Sequence, residues 1–253
     1  MKRLSLASKA AALGVLGLTA LSSAYATPLN GTVNTVGNAS VTTTDITFAN
    51  IFAVANLFNV SPPITGSFST LAPGASGTIL NLNSTLQPVG GNKETAITDV
   101  GWMVFPAAGS FPGARFDLEY ISPGGFTSAS CFLPVASALP GQTCTPFAGS
   151  PFNLTNLGSG STVTGVLIGF SLQGDAINLT TLEETDFSGS FSTQIDGHTL
   201  QDIIATITAG GTVSNSYSAN FTATGVPEPG TISLFGAGLI GLGLLQRRRR
   251  AKK

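Results

Sequence analysis

Hydrolytic chemistry needs a nucleophile, a base and a group that orients the base. The chain holds one histidine, His198, in the run Asp196-Gly197-His198, with Asp202 close behind. Either aspartate could orient the imidazole, and serines are plentiful. No Gly-x-Ser-x-Gly elbow accompanies them, and the local residues spell a turn, so His198 is expected to be a solvated loop residue. The densest acidic cluster is Glu183, Glu184 and Asp186, with Asp175 nearby. Carboxylate oxygens suit calcium, but neither an EF-hand nor a nonapeptide calcium spacing is present. These residues are expected to be solvated, and the stripe Arg115, Asp117, Glu119 to form the wet face of a strand. Trp102 and surface tyrosines could stack on sugars, although a single Trp on a strand is expected in the core. No carboxylate pair stands out for glycoside hydrolysis. The expectation is a protein without catalytic residues, metal or cofactor.

Two cysteines, Cys131 and Cys144, enclose a segment containing Pro134, Pro140 and Gly141. Two cysteines with one distant histidine fit a zinc site poorly. In an oxidising compartment a disulfide is favoured over two free thiols, and closing a loop of this size is worth about 3 kcal/mol in the chain-entropy picture.

The elements that would carry these residues show period-two alternation. Phe116, Leu118 and Tyr120 alternate with Arg115, Asp117 and Glu119. Tyr217, Ala219, Phe221 and Ala223 alternate with Ser and Asn positions, and Val166, Ile168, Phe170 and Leu172 with smaller residues. Leu80 and Leu82 alternate with Asn81 and Asn83. Further strands are expected over 41–48, 66–71, 100–105, 189–195 and 203–208. Strands separated by Gly, Pro, Asn and Ser turns predict an all-β, antiparallel β-sandwich, with a barrel or jelly roll as the nearest alternative. Amphipathic helices are not expected between the end segments. Phe supplies 16 of the 20 aromatic residues, as a core of alternating strands would require. Ser61-Pro62-Pro63 and residues 134–151 read as loops, and no internal domain boundary stands out. Gly-Ser-Phe-Ser-Thr occurs at 66–70 and at 189–193, a repetition that a chain this rich in Ser, Thr and Gly produces by chance.

The two ends differ in kind. Lys2, Arg3 and Lys9, an apolar stretch from Ala10 to Leu21, and small residues at Ala24 and Ala26 describe a secretory signal peptide over residues 1–26. The apolar stretch is short for an uncleaved anchor. Removing the ends changes the electrostatics. The whole chain carries −1, but nine of its eleven Lys and Arg lie in the end segments. Residues 27–225 keep Lys93 and Arg115 against eleven carboxylates, a net charge near −9. Such a domain repels nucleic acid and anionic membrane surfaces. The five Asn-x-Ser/Thr sequons, at Asn38, Asn83, Asn153, Asn178 and Asn220, are expected from composition alone.

At the C-terminus Val226, Pro227, Glu228 and Pro229 precede an uncharged apolar run, Ile232–Leu245, and then Arg247, Arg248, Arg249 and Arg250. The prolines keep the chain extended. The run has 14 residues, which at ~1.5 Å per residue falls short of ~30 Å of hydrocarbon unless the arginine stems snorkel to the headgroups. The basic cluster places the end in the cytoplasm. In that order, residues 226–253 resemble the PEP-CTERM sorting signal of Gram-negative bacteria, also labelled an ice-binding-protein C-terminal domain; the label is no evidence that this chain binds ice. The resemblance implies one short transmembrane helix, a cytoplasmic stop at Arg247–Arg250, and recognition of Val226, Pro227, Glu228 and Pro229 by an exosortase-type membrane enzyme. It further implies export across the inner membrane, transient anchoring there, then release to the cell surface or medium, often beside exopolysaccharide. The resulting expectation is a structural or adhesive matrix or biofilm protein. A secreted hydrolase or carbohydrate-binding module with the same tail, and a permanently anchored single-pass protein, are the alternatives.

Overall fold

The computed structural model describes residues 28–93, 97 and 99–225. The signal-peptide positions Ala24 and Ala26 and the tail from Val226 onward, including its transmembrane run, lie outside the described residues. Among the described residues no helix is long and apolar enough to cross a membrane.

Twelve strands and one α-helix are described: β1 (Gly31–Val41), β2 (Asp45–Ala49), β3 (Leu57–Ile64), β4 (Ser76–Ile79), β5 (Leu82–Asn83), β6 (Asp99–Phe105), β7 (Ala114–Ile121), β8 (Thr143–Cys144), β9 (Asn153–Ser159), β10 (Thr162–Asn178), β11 (Glu184–Asp196), α1 (Leu200–Thr208) and β12 (Val213–Ala223). Eight of the strands form a continuous ring in the order β11-β12-β1-β3-β4-β6-β7-β10, and β10 pairs back onto β11. The architecture is therefore a closed antiparallel barrel, not the expected sandwich. Closure depends on length. β10 runs for 17 residues and pairs with β11 from Gly165 to Ile177. Its other edge is divided: Leu172–Asn178 meets β7, and Thr162–Gly169 meets β9. β1 is divided in the same way. Val33–Val36 pairs with β3 and Asn38–Val41 with β2. At one pole β9 and β2 thus peel away from the ring, and the central ribbon of β10, β11, β12 and β1 continues beyond it.

The interior is filled by aromatic rings packed against glycines. Gly189 stands directly across from Phe221, Gly77 from Phe58, Gly174 from Phe187 and Gly37 from Tyr217. All four rings are buried. A Cβ on Gly189 would come within 2.6 Å of the Phe221 ring, and one on Gly37 or Gly174 within 2.9 Å of its partner ring. Each ring therefore occupies the volume that a side chain opposite would need. Trp102 is fully buried, with ring centroids 6.1 Å from both Phe191 and Phe221.

The two poles differ. Pro28 and Gly225 lie together at the first, where a Cβ on Gly225 would meet Pro28. Here Phe68 packs on Phe105, Phe111 and Phe116 at centroid distances of 6.0–6.1 Å and closes the end. The second pole, roughly 33 Å away along β1 at ~3.3 Å per residue, is where β9 and β2 diverge and α1 crosses from β11 to β12.

Three expected strands take other forms. Residues 66–71 begin with the 3-10 turn Gly66–Phe68. Gly66 has φ +59°, and a Cβ there would strike the Asn30 carbonyl, so the segment turns inward and delivers Phe68 as the plug. Residues 41–48 are split by a turn between β1 and β2. Residues 203–208 belong to α1, whose start is a capping box. The Thr199 side chain accepts from the Asp202 N–H, and the Asp202 carboxylate accepts from the Thr199 N–H. The repeated Gly-Ser-Phe-Ser-Thr is a 3-10 turn in one copy and strand β11 in the other.

Gly189→Ala is expected to destabilise the barrel by about 1–3 kcal/mol through overpacking. Gly189→Ala combined with Phe221→Leu is expected to lose less than the sum of the two single changes. Urea unfolding of the four proteins measures both; strict additivity would mean that the ring and the glycine do not share this space.

Candidate functional site

The divergent strands leave the second pole uncovered, and α1 lies over it. Leu200, Ile203 and Ile204 are buried against Cys131, Cys144, Leu154 and Val166, forming a second core beside the barrel. Cys131 and Cys144 are joined by a disulfide with a Cα–Cα distance of 5.5 Å. It fastens the 3-10 turn Ala129–Phe132 to β8.

A buried amide cluster holds the helix in place. Asn156 on β9 is 1% exposed. Its Oδ1 accepts from the Leu200 N–H at 2.7 Å, one of the N–H groups left free at a helix start. Its Nδ2 donates to Gln142 Oε1 and Gln201 Oε1. Gln201 Nε2 in turn donates to the Ser130 carbonyl at 3.0 Å, next to the disulfide.

Between helix and ribbon lie two adjoining cavities of about 70 and 180 Å³. They share Val41, Ile46, Phe152, Phe170, Ile204 and Ile207. The smaller is bounded almost wholly by carbon and reaches Ala39 and Tyr217. Burial pushes the Tyr217 phenol above its ordinary value, so the hydroxyl stays protonated. It finds no hydrogen-bond partner among the described residues. The larger cavity is lined by the exposed Phe132 and Phe147 and carries a polar rim, including Thr43, Asp45, Asn83 and Ser84. At this rim Asp45 accepts from the Thr44 hydroxyl at 2.6 Å and from Asn83 Nδ2 at 2.6 Å. These bonds, led by that from Thr44, hold its carboxyl below the usual range.

The residues singled out in the sequence are placed elsewhere. His198 is exposed in the turn before α1. Asp202 is committed to the helix cap, and Asp196 accepts from Gln194 Nε2 at 2.8 Å. Trp102 and Tyr217 are core residues, so neither is a sugar platform. The sequon asparagines bind their own fold. Asn38 donates to the Asn50 carbonyl, Asn153 accepts from the Gly125 N–H, Asn178 caps the β10–β11 hairpin through the Thr180 and Thr181 N–H groups, and Asn220 donates to Asn34.

The acidic cluster is regrouped. Glu183 and Glu184 fall at the β10–β11 hairpin tip, whereas Asp186 pairs across with Asp175 and Asp175 with Asp117. Three carboxylates therefore stand abreast on β7, β10 and β11. Both cations of the described domain serve this row. Arg115 forms a two-pronged pair with Asp117, at 2.9 Å for each contact. Lys93 donates to Asp186 at 2.7 Å and lies 4.0 Å from Glu119. No group of three or more His, Cys, Asp or Glu among the described residues is arranged to hold a metal ion. Sequence spacing concealed this row because its members are brought together by register, not by proximity along the chain.

The described part is thus a barrel with an apolar opening under a stapled helix. Its place in the cell is marked at the other end. Residues 225–250 match the PEP-CTERM protein-sorting motif. The chain carries that motif, which supports export and sorting by an exosortase-type membrane enzyme, with a cell-surface or extracellular destination. No curated protein and no solved structure matches the chain.

Two outcomes follow. Asn156→Ala is expected to cost about 1–3 kcal/mol, because the Leu200 N–H is left buried without an acceptor; thermal unfolding measures it. Lys93→Ala is expected to cost no more than about 1 kcal/mol at pH 7, as befits a partly exposed pair. Its acidic partners, Asp186 first, raise the Lys93 pKa. The lysine's contribution is therefore complete below the unfolded value of about 10.4 and is lost as pH rises through the higher folded value. Parent and variant should converge there, and a gap that widens with alkalinity would contradict the pairing.

Proposed function

We propose that the exported product is the β-barrel of residues 27–225, freed of its signal peptide and sorting tail, and that it serves as a non-enzymatic structural or adhesive component of an exopolysaccharide matrix. The PEP-CTERM motif at 225–250 carries this reading. Val226, Pro227, Glu228 and Pro229 are the residues the processing enzyme recognises, and Arg247–Arg250 hold the tail on the cytoplasmic side until processing.

The outer face of β1, β12 and β11 supports the adhesive part. Successive cross-strand rows read Thr32, Thr222, Ser188 and then Asn34, Asn220, Ser190. Ser218 and Ser192 continue the face. It is an uncharged surface of hydroxyls and amides, interrupted by Val36 opposite Ser218. Some of these groups bond one another, as Asn220 does Asn34 and Ser192 the Ser218 carbonyl, and their remaining lone pairs and N–H groups are left for a ligand. Neighbouring strands stand about 4.8 Å apart, so an extended glycan can exchange its water hydrogen bonds for several of these at once.

Replacing Pro227 and Pro229 by Ala is expected to hold the chain in the membrane fraction. The parent should reach the surface or the medium with an intact mass lacking the residues beyond about 229. Equal distribution of the two would favour a permanent anchor instead. Ser190→Glu together with Ser218→Glu is expected to lower retention on the cells' own anionic or neutral exopolysaccharide several-fold while leaving export unchanged. Undiminished retention would remove this face from the adhesive role.

A further inference from the structure

The cavity under α1 is not a packing defect of the kind small barrels tolerate by chance. Interiors close to near-crystalline density, and this barrel does so elsewhere: its interior is filled by rings against glycines, and its first pole is plugged by Phe68, Phe105 and Phe111. The two cavities lie at the second pole. Three devices hold it open. The disulfide pins the loop bearing Phe132, the Asn156–Gln142–Gln201 amides pin the helix start, and the capping box fixes the helix direction. Together they prevent α1 from settling into the gap.

The walls state the chemistry of an occupant. Ile46, Phe152, Phe170, Ile204 and Ile207 offer carbon and no charge. An apolar cavity of about 150 Å³ already admits a single benzene, and the 70 and 180 Å³ spaces adjoin. The rim adds hydroxyls and amides at Thr43, Ser84 and Asn83 and one carboxylate, Asp45. Held in its ionised form by the Thr44 and Asn83 hydrogen bonds, Asp45 opposes any anion, as does the negative charge of the whole domain.

We propose that this cavity binds a neutral amphiphile with a slender apolar body, such as an aliphatic alcohol or amide, whose chain enters beneath α1 and whose polar end rests on the Thr43–Asn83–Ser84 rim. The site lies at the pole opposite Pro28 and Gly225, where the sorting tail begins. The site is thus remote from Gly225, and loading is expected to be the same before and after the tail is cut. The proposal is independent of the matrix role.

The test uses the intact chain in lipid vesicles and the neutral probe N-phenyl-1-naphthylamine. Trp102 is the sole tryptophan of the sequence and packs on Phe191, a wall of the smaller cavity. Exciting Trp102 sensitises probe in the cavity far more than probe dissolved in lipid. Saturable sensitised emission with one probe per chain is expected. Two filling variants on different elements, Ala39→Leu on β1 and Ile207→Phe on α1, should each weaken it at least tenfold with thermal stability retained; if one fails to fold, the other decides. Octanol should displace the probe at a free concentration at least tenfold below that needed for octanoate at pH 7, and Asp45→Asn should narrow that gap. Probe emission that survives a folded filling variant, or octanoate competing as well as octanol, would overturn the proposal.

Discussion

Inside the barrel four aromatic rings pack against four glycines, each pair directly opposite across a strand ladder. Gly189 with Phe221, Gly77 with Phe58, Gly174 with Phe187 and Gly37 with Tyr217 are found on strands spread around much of the ring. An eight-stranded barrel has an interior only just wide enough for side chains to fill. Placing a large residue opposite a missing one resolves that constraint twice. The ring fills the bore, and the glycine lets the strand curve inward without a Cβ in the way. Burying a phenylalanine is worth about 1.5–3 kcal/mol, so the rings supply the drive and the glycines supply the room. A sandwich would not need this arrangement, because two separate sheets can move apart to fit two facing side chains.

Closure by long strands has a second consequence. β10 and β1 are too long for their neighbours on one side, so each continues past the ring and recruits a different partner, β9 or β2. The excess strand at the second pole has an apolar inner face with no barrel left to cover it. Helix α1 and the disulfide-fastened loop exist in the space this creates. The cavity, the second core and the exposed Phe132 and Phe147 all follow from strand lengths set elsewhere in the fold.

Much of this was legible along the chain, and the illegible part has a common cause. Alternation located β7, β10 and β12, because a half-buried strand must alternate whatever it pairs with, and β6 and β11 were expected as further strands. Whether those strands form a sandwich or a ring depends on which partners lie on each edge, and β10 meets β7 only through residues some sixty positions apart. The helix was missed for a local reason. Ile203, Ile204 and Ile207 with three threonines look like strand by propensity, but Thr199 and Asp202 hold the capping-box spacing and Leu200, Ile203, Ile204 and Ile207 the helical period. Weighting the cap above β-branching would have found it. The segment at 66–71 turns because Gly66 must adopt a positive φ under the Asn30 carbonyl, a constraint supplied entirely by another part of the chain.

The electrostatics tie the barrel to its surroundings. With only Lys93 and Arg115 available, a domain with eleven carboxylates uses both cations on a single row, where Asp117, Asp175 and Asp186 stand side by side. Like charges directly opposite one another destabilise a sheet, so this is the one outer position where neutralisation matters to the fold. Elsewhere the outer surface mixes hydroxyls and amides with exposed apolar side chains such as Val100, Leu167 and Leu182. A net charge near −9 over residues 27–225 disfavours the approach of anions. The sorting tail carries the opposite character, a basic cluster at Arg247, Arg248, Arg249 and Arg250. The barrel domain and the tail thus carry opposite charge, a contrast that the near-neutral total of the whole chain conceals.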